Sequence, residues 1–325
     1  TTYPSGKVIN DVYNAGTDDI LSRITQRTDD TTMFFQDMYL GIENLVERHF
    51  GALYLYWTLV GADTANQDNY VGLDRFGRVD LLTVKNTFTS QTHNQYSYTY
   101  NYRSQATVRQ DLIGNVGGSY EFSEAFAYDN LGRLLDHKRG VYTGNPSDPV
   151  NPLRLHECWT YDRVGNVTAY YGGTSASCTS PGPGILQTFN ASNEIASRNG
   201  NSGYAQYNDL GSLTRKGLAT DSYVYDAWGR QVQANNYTQG STLANYKYNG
   251  LGQITERTNS ASGQLDLRYY YDATARVIEE RVIPYGETVY NWYVWGTQGS
   301  DDLAARGPTI HYYAAGSGGS TVTRF

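Results

Sequence analysis

The side chains of this 325-residue chain best suited to bind a metal or attack a substrate are five histidines (His49, His93, His137, His156, His311) and two cysteines (Cys158, Cys178). The histidines are scattered, and no two stand at the spacing of a zinc-ligand pair. The sequence contains neither a Gly-x-Ser-x-Gly nucleophile turn nor a Gly-x-x-x-x-Gly-Lys phosphate loop. It therefore points to no catalytic residue, no cofactor and no metal ligand. Cys158 and Cys178 lie 20 residues apart, a separation that suits a disulfide closing one hairpin, worth about 3 kcal/mol in the loop-entropy relation. Two buried thiols are the other reading, and the bridge is the one that an exported chain would favour. Asn166-Val167-Thr168, Asn190-Ala191-Ser192 and Asn236-Tyr237-Thr238 match the N-glycosylation pattern, and the segment from Thr174 to Pro181 is rich enough in hydroxyls to carry O-glycans.

Acidic residues recur in a fixed context, which raises calcium as a ligand. One carboxylate per copy, often replaced by Asn, supplies too few charged oxygens for a calcium site. The recurring context is better read as turn chemistry. The chain repeats Tyr128-Asp129-Asn130-Leu131-Gly132-Arg133-Leu134 as Tyr161-Asp162 with Gly165, Phe189-Asn190 with Asn193, Tyr207-Asn208 with Gly211, Tyr225-Asp226 with Gly229, Tyr248-Asn249 with Gly252, and Tyr271-Asp272 with Ala275. Counted from Tyr128 the spacings are 33, 28, 18, 18, 23 and 23 residues. Tyr3-Pro4-Ser5-Gly6-Lys7, Leu73-Asp74 with Gly77, and Gln110-Asp111 with Gly114 read as degenerate copies, making ten in all.

Upstream of each turn, aromatic residues alternate, as in Phe126 and Tyr128, Trp159 and Tyr161, Tyr223 and Tyr225, Tyr246 and Tyr248, and Tyr269 and Tyr271. A period of two is the pattern of a half-buried strand. Asp or Asn opens a type I turn, and Gly closes it in the left-handed region, giving a bulged three-residue hairpin loop. Asn193 tolerates that region, whereas Ala275 predicts a different turn in the last copy. Each copy is thus a hairpin of about 20 residues, too small to be stable alone, so the copies must pack into one long twisted sheet. Helical signal is weak, and Asp18 to Ile24 suits a short helix as well as a strand-turn-strand.

Composition agrees with this architecture. The chain has 31 Tyr, 34 Gly and a net charge of −7. It is too aromatic for a disordered linker, lacks an apolar run long enough to span a membrane, and is too acidic overall for a nucleic-acid surface. Trp57, Trp228, Trp292 and Trp295 are the candidate sugar-stacking side chains if they face outward.

The Tyr-Asp-x-x-Gly-Arg-Leu unit resembles the YD repeat of Rhs (rearrangement hotspot) proteins, also found in teneurins and insecticidal toxin-complex proteins. Tyr269 to Asp272, Val277 to Glu280, Tyr293-Val294-Trp295-Gly296, Asp301-Asp302-Leu303 and Ser320 to Thr323 are similar to the end of bacterial YD-repeat wall proteins. The resemblance implies an all-β, strand-rich shell or spiral displayed outside the cell, in which the repeats are architecture. The Asp-Pro-x-Gly self-cleavage element of toxin-bearing relatives is missing, since Asp148-Pro149 is followed by Val150.

These readings divide the chain into degenerate repeats over 1–120, well-formed repeats over 121–280 and a terminal β segment over 281–325. The leading expectation is a non-enzymatic extracellular scaffold that self-associates into a filament or forms part of a longer polypeptide. A shell fragment enclosing a toxin, or a carbohydrate-binding adhesin, is the alternative. The ends, Thr1 without an initiator Met and Phe325, read as those of a segment of a longer polypeptide.

Overall fold

In the computed structural model of the chain, residues 1–42, 44–51, 54–60, 72–114, 122–144, 150–174, 184–217, 221–260, 264–283, 288–297 and 302–307 are described. The chain is all-β, as its repeats require. Twenty-four strands and one short helix, α1 (Thr17–Ile20), make up its regular structure among the described residues. The ambiguous acidic segment therefore resolves in favour of the helix.

The strand pairings registered among the described residues are antiparallel, and neighbours in each sheet are neighbours in sequence, so one sheet runs in chain order from β1 (Asn10–Val12) to β14 (Ile195–Arg198) and a second from β15 (Ala205–Tyr207) to β24 (Leu303–Arg306). This order follows from hairpin chemistry, since a three-residue loop can only return the chain beside itself. The repeated hairpins show the predicted bulge as a register shift beside the turn. Between β9 (Ser123–Tyr128) and β10 (Leu134–Tyr142) the shift falls between Leu134 and Asp136. Between β19 (Ser241–Tyr248) and β20 (Ile254–Asn259) it falls between Lys247 and Tyr248.

In space the chain forms two compact units, one of residues 37–202 and the other joining residues 1–36 to 203–325. The second unit brings distant parts of the sequence into one apolar core. Tyr3, Ile9, Phe34 and Phe35 from the first 36 residues pack with Ile278 and Val294, and Trp292, Trp295, Ala304 and Ala305 lie against them. Polar contacts fasten the same seam. The Tyr3 hydroxyl donates to the Tyr293 carbonyl at 2.5 Å, the Ser5 N–H donates to Glu279 Oε2 at 3.1 Å, and Arg27 donates to the Trp295 carbonyl. Lys7 sits 4.6 Å from the Trp292 ring centre and pairs with Asp29 at 2.5 Å. Burial alone would raise the Asp29 pKa, but Lys7 and the N–H groups of Thr31 and Thr32 hold it down at about 2.

Phe35 is fully buried in this seam, whereas Leu131, at a turn tip, is 74% exposed. Phe35→Ala should therefore cost about 3–5 kcal/mol, and Leu131→Ala should stay within about 0.5 kcal/mol of the parent chain. Urea unfolding of the two variants checks the contrast, and equal losses would contradict the seam as the stabilising core.

Candidate functional site

The recurring turns share one construction. In the copy at Asp129 the Asp129 N–H donates to the Arg133 carbonyl at 2.9 Å, and the Gly132 N–H donates back to the Asp129 carbonyl at 3.0 Å. Asp129 Oδ1 accepts the N–H groups of Leu131 and Arg133 at 2.8 and 2.9 Å, while Oδ2 accepts Arg133 Nε at 2.6 Å. Backbone N–H donation from Arg133 is the largest reason that the Asp129 carboxyl lies below its ordinary range. The same clasp closes at Asp74 with Arg78, Asp226 with Arg230 and Asp272 with Arg276. Neutral versions pair Asn101 with Gln105 and Asn249 with Gln253. Asn208 keeps the backbone part, accepting the N–H groups of Leu210 and Ser212.

Ala275 follows the same plan and corrects the expectation of a different turn. Its N–H donates to Asp272 O at 3.1 Å, and its φ is +67°, close to the +61° of Asn193. The clasp from Asp272 holds alanine in a region that normally selects Gly. Asn101 to Gln105 is a copy that sequence reading missed, because Ser104 stands at the glycine position with φ +61°. Tyr3 occupies the position of the acidic residue in the first turn, with its N–H donating to Lys7 O. Asp111 Oδ1 accepts the N–H groups of Ile113 and Gly114, and the rest of that copy lies outside the described residues.

Six tyrosines that precede a turn tie their hairpins to the one before. Each hydroxyl donates to the carbonyl of the first residue after the previous turn. Tyr100 reaches Val79 at 2.6 Å, Tyr128 reaches Ala106 at 2.9 Å and Tyr161 reaches Leu134 at 2.7 Å. In the other unit Tyr225 reaches Leu213 at 2.7 Å, while Tyr248 reaches Gln231 and Tyr271 reaches Ile254, both at 2.6 Å. Trp295 takes this role at the last turn, with Nε1 donating to Val277 O at 2.8 Å. The clasp arginine also lies over the next tyrosine, with Arg78, Arg133 and Arg230 at 4.4, 4.6 and 4.7 Å from the rings of Tyr100, Tyr161 and Tyr248. These tyrosines are half-buried, and burial is the first cause raising the hydroxyl pKa of Tyr128, Tyr225, Tyr248 and Tyr271.

In six copies the third turn position is apolar and exposed. Phe76, Leu131, Val164, Leu210, Trp228 and Leu251 are between 65% and 84% accessible. Trp228 is therefore one member of a repeated apolar position, which holds the aromatic Phe76 in one other copy and aliphatic side chains at Leu131, Val164, Leu210 and Leu251. Trp57, Trp292 and Trp295 are partly buried. Asn166 Nδ2 donates to Asp162 Oδ2 and to Asn193 Oδ1, and Asn190 Oδ1 accepts the N–H groups of Ser192 and Glu194. A glycan on Asn166 would take the place of one amide hydrogen and so break at least one of these two donor contacts. Asn236 Oδ1 accepts the Gln239 N–H.

Two polar clusters occupy opposite faces of the pairing between β10 and β11 (Val150–Tyr161). On one face Glu124, which is buried, accepts Arg139 at 2.7 Å, pairs with Arg109 at 2.9 Å and faces His137 Nε2 at 3.5 Å. His137 Nδ1 lies 2.9 Å from Glu157, whose other oxygen accepts the Tyr170 hydroxyl at 2.7 Å. Burial alone would raise the Glu124 pKa, but His137 and Arg139 hold it down at about 2. The Glu124 carboxylate is the main cause raising the His137 pKa, against the opposing effect of burial.

The other face brings together residues that the sequence scatter concealed. Asp136 pairs directly with Cys158 across the two strands, and His156 stands two residues from Cys158 on the same face. His156 Nε2 lies 2.7 Å from Asp136 Oδ2 and 3.3 Å from Cys158 Sγ. Cys158 is disulfide-bonded; Cys178 lies outside the described residues, as does the segment 175–183 that holds most of the hydroxyl-rich loop. A His-x-Cys spacing on a strand was the available signal, since residues two apart share a face.

The family model described as Teneurin YD-shell matches residues 57–290. Among solved structures, the Photorhabdus luminescens Tc holotoxin pore is similar with a TM-score of 0.61 and 14% identity, over 99% of this chain and 16% of that one. A TcdB2-TccC3-TEV crystal structure is similar with a TM-score of 0.58 and 12% identity, again over 99% of this chain and 16% of that one. The chain thus spans about one sixth of the length of these neighbours. At such identity the likeness concerns the fold. No curated protein matches the sequence.

Two predictions test the site. Ala275→Gly should stabilise the chain by about 1 kcal/mol by relieving a left-handed alanine, and Gly132→Ala should destabilise it by a similar amount, both read from thermal unfolding; the opposite signs would refute the strain. The second concerns pH. Glu124, depressed to about 2 from an ordinary 4.5, contributes stability that is present above about pH 4.5 and lost as pH falls towards 2. His137, raised above its ordinary 6.5, contributes stability that is complete below about pH 6.5 and lost as pH rises through its folded value. The melting temperature should therefore fall on both sides of a maximum near pH 5–6, and His137→Gln should remove the alkaline decline and shallow the acid one, since His137 also holds the Glu124 pKa down.

Proposed function

Because the chain belongs to the teneurin YD-shell family, whose model matches residues 57–290, we propose that it is a wall segment of a β-shell in a longer exported polypeptide that encloses a cargo domain. The observation that carries this reading is the tyrosine tie between consecutive hairpins, which makes the repeated turn a means of extending a wall. It also supports a non-catalytic role, since the repeated polar groups are spent on turn closure and on joining hairpins. No helix among the described residues is long and apolar enough to cross a membrane. The toxin-complex neighbours favour the shell over a self-assembled filament, because this chain corresponds to a portion of each of them.

Limited proteolysis of the parent polypeptide, compared with its cargo segment expressed alone, tests the shell. The cargo should survive in the intact parent and be digested at least about tenfold faster when free. Equal digestion rates, or electron micrographs showing open filaments of the parent, would overturn the reading.

A further inference from the structure

We propose that Asp136, His156 and Cys158 form a binding site for a zinc-class divalent ion, one that becomes available when the Cys158 disulfide is reduced. Their ligand atoms all lie within 4.8 Å of one another. The separations are 2.7 Å from Nε2 to Oδ2, 3.3 Å from Nε2 to Sγ and 3.9 Å from Sγ to Oδ2. A tetrahedral ion with zinc-like bond lengths separates its N and O ligands by about 3.3–3.4 Å and either of them from S by about 3.6 Å, so the two contacts to Sγ lie within about 0.3 Å of that requirement and Nε2 and Oδ2 must open by about 0.6 Å to admit the ion. The sheet supplies the arrangement, with Asp136 and Cys158 opposite one another across the strands and His156 on the same face. His156 is almost wholly buried, its side chain 3% exposed, while that of Asp136 is 26% exposed, which leaves a route from solvent.

The trio does not suit nucleophilic catalysis. A Cys-His-Asp relay places the nucleophile and the carboxylate on opposite ring nitrogens, whereas here both meet Nε2. Convergence of sulfur, nitrogen and oxygen on one point is instead the pattern of a coordination shell. The mixed donor set favours zinc or cobalt over calcium or magnesium, which prefer oxygen alone. Solvent would complete the tetrahedron, as in exchangeable zinc sites.

The chain has one other cysteine, Cys178, whose 20-residue separation from Cys158 suits the bridge expected from the sequence. A dithiol reductant would exchange with the S–S bond, giving two cysteine thiols and the oxidised form of the reductant. Metal binding then displaces the Cys158 thiol proton to solvent. Disulfide and metal thus compete for one sulfur: an oxidising exterior favours the bridge, and a reducing compartment favours the ion.

Cobalt(II) titration of the Cys178→Ser chain, prepared without reductant, tests the site. One cobalt per chain should bind, with a thiolate-to-metal charge-transfer band and tetrahedral visible absorption, and zinc should displace it. The oxidised parent chain and Cys158→Ser should lack the thiolate band, and adding His156→Ala to Cys178→Ser should weaken binding at least about tenfold. Should Cys178→Ser fail to fold by circular dichroism, the parent chain reduced and desalted under nitrogen replaces it. Absence of a thiolate band from the folded, reduced protein would overturn the proposal, as would equal binding by Cys158→Ser.

Discussion

The hydrogen bond from one tyrosine hydroxyl to a carbonyl in the preceding hairpin is the contact on which the rest of this architecture depends. A single hairpin of this size is marginal in water because its exposed face and closing turn cost more order than its ladder returns. The tyrosine changes that balance by spanning two hairpins. Its ring is half-buried, and its hydroxyl satisfies a carbonyl beside the bulge, where the ladder shifts register. Six tyrosines and Trp295 repeat this contact, so stability accumulates by nearest-neighbour ties in the manner of a repeat protein.

Geometry matters more than charge in the turns. Asp with Arg, Asn with Gln, and Asn with Glu fill the first and fifth positions at Asp129, Asn249 and Asn190 respectively, and each pair closes across the loop. What the three pairs share is an oxygen placed to accept two backbone N–H groups and a partner long enough to reach back. The ion pair itself adds little at an exposed turn. The arginine version gains a second role, since its guanidinium can lie over the next aromatic ring, as Arg133 does over Tyr161.

The repeat was legible because turn chemistry is local. Asp129, Gly132 and Tyr128 announce their positions by spacing alone, and the hairpin order of both sheets follows from them. Ser104 and Ala275 misled because left-handed backbone normally selects Gly or Asn, and a strong enough clasp overrides that preference. The seam joining Tyr3 and Phe35 to Ile278 and Val294 was not legible, since nothing in a short-range repeat specifies which distant hairpins share a core. The ambiguity at Asp18 to Ile24 belonged to the same class, a segment too short for its periodicity to decide.

The pairing of β10 with β11 shows why a repeat can carry chemistry without displaying a motif. Strand alternation sends Asp136, His156 and Cys158 to one face and His137, Arg139 and Glu157 to the other, although the two sets are interleaved in sequence. A linear search sees two histidines 19 residues apart with unlike neighbours. Folding makes each the centre of a separate cluster, because the antiparallel register sets position 136 against 158 and 137 against 157. One cluster holds its carboxylate charged beside two arginines, and the other gathers three different donor atoms around one point. Register therefore decides which side chains meet here as it decides burial: a slip of one residue between β10 and β11 would set opposite faces together and dissolve both clusters.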